Sequence, residues 1–152
     1  MRAHFQFSLQ KVLELRERME EQAAAELGRL QSLETEARKR LALQEDQRGQ
    51  KLSAWREISQ GALDIGELET YQRYLGMLDQ NIVQQRALVH ELEVSVEEQT
   101  NEFLAARRKR EMLEKLKEKE YAQYHRELLS KEQRELDDIA ATRFMQKEAP
   151  SS

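Results

Sequence analysis

The chain contains no cysteine, one proline and only five glycines in 152 residues. Without cysteine it forms no disulfides or thiolate metal sites, and its composition is compatible with a cytosolic protein. Aromatic residues are 6% of the chain and charged residues 36%, which is too polar for a compact globular core. Because the apolar residues nevertheless recur at regular spacing, we expect long helices and not disorder.

Long hydrophobic runs are also missing. No stretch approaches the roughly eighteen apolar residues of a membrane span, and Lys11, Glu14 and Arg16 interrupt the apolar residues near the start of the chain. The sequence therefore predicts no signal peptide and no direct membrane insertion. Its net charge of −4 argues against general binding to nucleic acid.

A heptad repeat runs from Leu68 to Leu113. Its a positions are Leu68, Leu75, Ile82, Val89, Val96, Phe103 and Arg110, and its d positions are Tyr71, Leu78, Gln85, Leu92, Gln99, Ala106 and Leu113. Such a repeat lines up one helix face, the seam, which another helix must cover. Burying each large seam residue stabilises the structure by roughly 1.5–3 kcal/mol. The partner is either another helix of this chain or another molecule.

A first helix is predicted from about residue 9 to residue 59, with Ser8 as its N-cap. Its seam is weaker than that of the second helix. The apolar d positions are Leu9, Ala23, Leu30, Ala37 and Ile58, and the apolar a positions are Leu13, Leu27, Leu41 and Trp55. Polar residues interrupt both sets, namely Arg16, Glu20, Glu34, Gln44, Arg48 and Lys51. Phe5, Val12 and Met19 recur every seven residues beside this seam. This end is therefore apolar over more surface than one partner helix covers.

A turn is predicted at residues 60–64, where Gly61 suits the end of the first helix and Asp64 with Glu67 forms a capping box for the second. So short a connection returns the chain antiparallel. Residue i then faces roughly residue 124 − i, which sets Trp55 near Tyr71 and Leu9 near Leu113 to Leu116.

The predicted fold is thus all-α: one elongated domain over residues 1–152, with two long helices in an antiparallel coiled-coil hairpin. The second helix is the longer and extends from about residue 65 to residue 144, before a frayed tail at 145–152. Beyond Leu113 the heptad changes phase, and an apolar stripe continues that the first helix is too short to cover. This stripe contains Leu116, Tyr121, Tyr124, Leu128, Leu136, Ile139 and Phe144.

No catalytic or metal-binding constellation is predicted. The three histidines, His4, His90 and His125, are far apart, and we expect none to share a helix face with a second ligand. The sequence predicts no cofactor and no enzymatic activity. The basic run Arg107–Arg110 resembles a nucleic-acid patch, but interleaved glutamates downstream favour a solvated coiled-coil flank.

Both ends of the chain resemble the FliJ family, small coiled-coil components of the bacterial flagellar export apparatus. The opening F-x-F-x-L-Q-K-V-L-E-L-R spans Phe5 to Arg16, and the closing motifs are L-E-K-L-K-E-K at Leu113 to Lys119 and L-D-D-I-A at Leu136 to Ala140. The resemblance covers nearly the whole chain. It implies a non-enzymatic cytoplasmic stalk protein of flagellum assembly and motility, peripherally associated with the inner face of the cell membrane at the flagellar base.

The resemblance also implies partners: the hexameric export ATPase, whose ring pore would hold the two ends, an export-gate membrane protein, and flagellar export chaperones. Such a protein would regulate the ATPase and couple ATP hydrolysis to secretion. Candidate ATPase-binding residues are Phe5, Phe7, Leu9, Val12, Leu13, Leu15, Arg16, Met19, Leu113, Leu116, Lys117, Leu136 and Ile139. Candidate gate-binding residues are Trp55, Tyr74 and Met77, of which Trp55 and Tyr74 are expected to be the exposed aromatics near the turn. From the residues alone, packing of Trp55, Tyr71 and Tyr74 against each other is the more common arrangement.

Three alternatives remain open from the residues alone. A stalk protein of a virulence type III secretion system would share the same pattern. A self-associating structural coiled coil would cover the overhanging stripe with a second copy. A nucleic-acid-binding rod would bind in a salt-sensitive way.

Overall fold

A computed structural model describes residues 4–61 and 64–148. Helix α1 spans Gln10–Ile58 and helix α2 spans Ile65–Glu148, and the described residues contain no strand. The only proline is Pro150, beyond both helices, and strong helix formers such as Ala, Leu, Glu, Gln and Arg fill their interiors. The predicted all-α helical hairpin with a longer second helix is confirmed.

The helix bounds differ from the prediction mainly at the carboxyl end. Residues 145–148 belong to α2, whereas a frayed tail was expected from residue 145; the rest of that tail, and residues 62 and 63 of the turn, lie outside the described residues. The chain divides into two compact units, which we call the terminal unit (residues up to Met19 and from Ala106 on) and the hairpin unit (Glu20–Ala105). That the chain forms one domain stays a prediction.

The turn caps α2 with Asp64, but the described contacts include no bond from Glu67 back to Asp64, so the predicted capping box is not formed. Asp64 Oδ1 accepts a hydrogen bond from the Gly66 backbone N–H at 3.5 Å, and Asp64 O accepts one from Leu68 N–H at 3.2 Å. These contacts place Asp64 at the N-cap. Gly61 closes a turn by donating to Ile58 O at 3.2 Å, but no described glycine has a positive φ. The first helix therefore ends without the left-handed residue that its glycine suggested.

Antiparallel packing in the hairpin unit follows the predicted seam of α2, whereas the predicted α1 seam residue Ile58 is 56% exposed. All the a and d positions of α2 in this unit are buried or half-buried, and the most buried are Leu78, Ile82, Gln85 and Val89. Trp55 stacks on Tyr71 and Gln85 bonds to Ala37. Each pair lies within two residues of the predicted register.

In the terminal unit the heptad of α2 continues without the predicted phase change. Lys117, Glu120 and Tyr124 occupy the next a, d and a positions and are half-buried, while Leu116 and Tyr121 are exposed. Apolar residue types alone do not predict this continuation of the heptad, because two of the three inward positions are charged. Long side chains such as Lys117 can cover apolar surface with their stems while keeping the charge in water.

Candidate functional site

The segment before α1 packs against α2 within the terminal unit. The Phe5 ring lies 5.3 Å from the Tyr121 ring in an edge-to-face arrangement and 5.5 Å from the Tyr124 ring. Ser8 Oγ donates a hydrogen bond to Glu120 Oε1 at 3.0 Å. The predicted capping role of Ser8 is therefore replaced by a bond to the other helix, and aromatic contacts of this kind add about 0.5–1.5 kcal/mol to plain burial.

Two of the ATPase-binding candidates are core residues. Phe7 is 6% exposed and Leu13 is 2% exposed, so their side chains hold the terminal unit together and offer almost no surface to a partner. Four further candidates, Phe5, Arg16, Leu113 and Lys117, are half-buried. These six candidates therefore contribute more to the packing of the terminal unit than to the surface that a partner could contact.

The remaining ATPase-binding candidates are exposed apolar residues of the terminal unit: Leu9, Val12, Leu15, Met19, Leu116, Leu136 and Ile139. Val12, Leu15 and Met19 follow the i, i+3, i+7 spacing of one helix face. They lie beside a groove that is lined by Phe5, Leu9, Val12 and Lys117 among others. The structure therefore gathers an accessible apolar face on the first turns of α1.

A second accessible apolar region lies in the last turns of α2. Every residue from 125 to 148 is exposed, and the large apolar ones are Leu128, Leu129, Leu136, Ile139, Phe144 and Met145. Leu129 and Met145 were not predicted as part of this region because they fall outside the predicted apolar stripe. Their signal was the density of apolar residues in a stretch longer than α1 can cover.

The basic run of α2 pairs with glutamates on the following turn. Arg107 Nε lies 2.9 Å from Glu111 Oε1, and Arg110 Nη1 lies 2.7 Å from Glu114 Oε2. Both are i, i+4 pairs, which stabilise helices by only a few tenths of a kcal/mol. This geometry is that of a coiled-coil flank.

The gate-binding candidates lie in the hairpin unit and differ in accessibility. The Trp55 ring stacks on Tyr71 at 4.5 Å and is half-buried, so the expectation that it is an exposed aromatic is wrong. Tyr74 is 38% exposed and Met77 is 51% exposed. The Lys51 ammonium lies 5.8 Å from the Tyr74 ring centroid, within cation–π range.

Several ion pairs lie on the exposed surface of the hairpin unit. Arg38 bridges Glu34 on its own helix and Glu93 on α2, and Arg48 pairs with Asp79. The hydrogen bond that Arg38 donates to the Glu34 carboxylate raises the pKa of the Arg38 guanidinium further. Such solvated pairs contribute about 0–1 kcal/mol each to the stability of the fold. They therefore affect the hairpin only slightly and do not define a binding site.

Neither metal binding nor membrane insertion finds support in the described residues. No group of three metal-ligating side chains occurs among them, although His90 Nδ1 lies 3.9 Å from Glu93 Oε2. The expectation that no histidine shares a helix face with a carboxylate is therefore wrong at this pair. Within the described ranges no helix is both long and apolar enough to cross a bilayer.

Comparison with known proteins agrees with the motifs at the two ends. A family model described as "Flagellar FliJ protein" matches residues 5–149, which includes both helices and the segment before α1. No curated protein and no solved structure matches the chain. The match covers nearly the whole length, so the chain belongs to the FliJ family and is a component of the flagellar protein export apparatus.

Proposed function

We propose that this protein is a non-enzymatic stalk and escort component that binds the export ATPase ring through its terminal unit. In the same proposal its hairpin unit contacts the export gate, so that ATP hydrolysis is coupled to protein secretion. Export chaperones are further partners. The protein acts in the cytoplasm, held peripherally at the inner face of the membrane at the flagellar base.

The observation that carries the proposal is the accessible apolar surface of the terminal unit. Val12, Leu15 and Met19 are 39%, 47% and 42% exposed, and Leu136 and Ile139 are 60% and 51% exposed. Clustered apolar surface of this kind on a charged protein marks an interaction site. A ring lumen that encloses the terminal unit would bury both faces at once, and the gain would scale with the apolar area removed from water.

The hairpin unit supplies a smaller surface for a second partner. Tyr74 and Met77 are exposed one turn apart on α2, and Trp55 supports this region by stacking on Tyr71. Tyrosine and methionine are both enriched at protein interfaces. We therefore assign gate contact to Tyr74 and Met77, with Trp55 acting through packing.

The test compares two double variants that are matched controls for each other. Val12→Glu/Met19→Glu places charge on the terminal face, and Tyr74→Glu/Met77→Glu places it on the hairpin face. Neither pair is buried, so both variants retain the parent's helical circular dichroism. Arg16 Nη1 already lies 3.7 Å from Met19 Sδ, which gives a glutamate at position 19 a nearby cation.

Burying a carboxylate in an apolar interface is costly even when a cation lies near it. We expect the terminal variant to bind the export ATPase and stimulate its hydrolysis at least about tenfold less well, a loss of about 1.4 kcal/mol, while gate binding is kept. The hairpin variant should show the reverse pattern. If the terminal variant stimulates the ATPase as well as the parent, the terminal unit does not bind the ring.

Self-association is a second candidate function, favoured by the exposed residues of α2 from 125 to 148. A second copy packing on this stretch would bury Leu136 and Ile139. Light scattering over a wide concentration range separates the two candidates. A mass that doubles with concentration, and stays at the monomer value in Leu136→Glu/Ile139→Glu, would favour self-association.

A further inference from the structure

Two glutamines of the hairpin unit donate hydrogen bonds across the seam to backbone carbonyls of α1. Gln85 Nε2 donates to Ala37 O at 3.0 Å, and Gln99 Nε2 donates to Ala23 O at 3.2 Å. Gln85 is 9% exposed and Gln99 is half-buried. The glutamines are 14 residues apart on α2 and the alanines are 14 residues apart on α1, so both bonds specify the same alignment of the helices.

Alanine is what makes each carbonyl reachable. A helical carbonyl keeps a second lone pair after its own helix bond, but a bulky side chain at the seam would fill the space through which the glutamine amide reaches it. The other d positions of α1 all carry larger residues, namely Leu9, Arg16, Leu30, Gln44, Lys51 and Ile58. Only Ala23 and Ala37 can therefore accept the amides in this way.

Sliding one helix by a heptad breaks this match in either direction. A slide of seven residues sets Gln85 against Leu30, or else sets Gln99 against Leu30. In both cases the leucine side chain fills the space through which the amide would approach the α1 backbone, and a buried amide without a partner is disfavoured. A polar residue in an otherwise apolar seam selects register by this mechanism.

Apart from the Trp55–Tyr71 stack, other features of the hairpin unit restrain sliding less. The six residues between Ile58 and Ile65 can reach about 20 Å, while a seven-residue slide needs only about 10 Å along the axis. The exposed ion pairs Arg48–Asp79 and Arg86–Glu45 are weak and their long side chains can find new partners. Leucines that repeat every seven residues meet other leucines after a slide.

We propose that the two glutamine–alanine pairs lock the axial register of the hairpin unit. Helix pairs can carry a conformational change by ratcheting one element past another. The two glutamine–alanine pairs prevent such sliding in the hairpin unit, so α1 and α2 move together when this unit transmits force or motion. This inference does not depend on which partner the chain binds.

The test measures the register directly with spin labels in the full chain. The chain has no cysteine, so cysteines introduced at the exposed positions Ala24 and Gln72 are labelled cleanly. In the parent, the monomer fraction should give one distance of about 40 Å. In Gln85→Leu/Gln99→Leu, which keeps its helical circular dichroism, a second population should appear that is displaced by about 10 Å.

The matched control replaces two exposed glutamines of the same helix, Gln80→Leu/Gln84→Leu, and should keep the parent's single distance. A single unshifted distance in Gln85→Leu/Gln99→Leu would overturn the proposal, because the rest of the seam would then fix the register. A second population of equal size in the control would overturn it as well.

Discussion

The hairpin unit and the terminal unit contain similar residue types but bury them differently. In the hairpin unit Leu78, Ile82 and Val89 are 8%, 4% and 6% exposed, and α1 lies against the α2 seam throughout. In the terminal unit Phe7 and Leu13 are buried, yet α2 from residue 125 to 148 is exposed on every side. The hairpin unit buries its seam but still exposes residues such as Met77 and Val83, whereas the terminal unit leaves a whole stretch of α2 without cover.

The two units also differ in charge. The hairpin unit contains 9 Lys and Arg against 17 Asp and Glu, a net −8, and the terminal unit contains 16 against 12, a net +4. The overall net charge of −4 is therefore the sum of two units with net charges of opposite sign. Because long-range attraction selects partners of complementary charge, the two units are suited to different partners.

The largest expected effect is loss of the hairpin seam. Leu78→Ala/Ile82→Ala should lower the free energy of unfolding by about 4 kcal/mol or more, since each buried aliphatic truncation costs roughly 2–5 kcal/mol. The matched variant Leu136→Ala/Ile139→Ala changes the same residue types where they are exposed and should cost under about 1 kcal/mol. Urea denaturation followed by circular dichroism measures both. Equal losses would mean that the α2 end is packed.

Truncating the buried aromatic of the terminal unit should have a smaller and local effect. Phe7→Ala should weaken the packing of that unit by about 3 kcal/mol. Hydrogen exchange should then become faster at residues 10–19 and stay unchanged at 78–92. Uniformly faster exchange would show that the two units unfold together.

Removing a hydroxyl from the hairpin seam should change little. The Tyr71 hydroxyl is buried and has no hydrogen-bond partner in the described part of the chain. Tyr71→Phe should therefore leave the free energy of unfolding within about 1 kcal/mol of the parent or raise it slightly. Tyr71→Ala, which removes the stack on Trp55 as well, is the comparison. A clear loss in Tyr71→Phe would reveal a partner for the hydroxyl.

The smallest expected effect comes from acidification. The Arg29 guanidinium, bonded to Glu26 at 2.6 Å, lowers the pKa of the Glu26 carboxyl. A carboxyl with a lowered folded pKa stabilises the fold above its unfolded pKa, and that contribution disappears as the pH falls through the folded pKa. Because Glu26 is solvated, Glu26→Gln should differ from the parent only slightly at neutral pH and not at all in strong acid. Thermal unfolding across that range measures the difference.

The heptad pattern was sufficient to predict most of the fold. It predicted the hairpin, the seam from Leu68 to Leu113 and a register within two residues at Gln85 and Ala37. It failed beyond Leu113, where Lys117 and Glu120 occupy inward positions that a rule based on apolar residue types passes over. It also assigned Ser8 to capping, because a bond to Glu120 more than a hundred residues away leaves no local signal.

The candidate surfaces were less predictable than the fold. The end motifs fall in segments that expose apolar side chains. Periodicity separated the seam residue Leu13 from Val12 and Met19 beside the seam, but it could not distinguish the buried Phe7 from an exposed residue, because Phe7 precedes α1. That distinction depends on how the segment before α1 packs on Tyr121 and Tyr124. Trp55 was a different error, because the predicted register already placed it at a seam position beside Tyr71 and the expectation of an exposed aromatic did not follow from that register.

The most direct test of the account is hydrogen exchange of the whole chain, alone and with the export ATPase hexamer. In the free chain we expect slow exchange at residues 68–103 and fast exchange at residues 125–148. Adding the ATPase should slow exchange at 10–19 and 125–148 and leave 68–103 as it was. Slower exchange confined to the hairpin unit, or no change at either end of the chain, would contradict the claim that the terminal unit is the ring-binding surface.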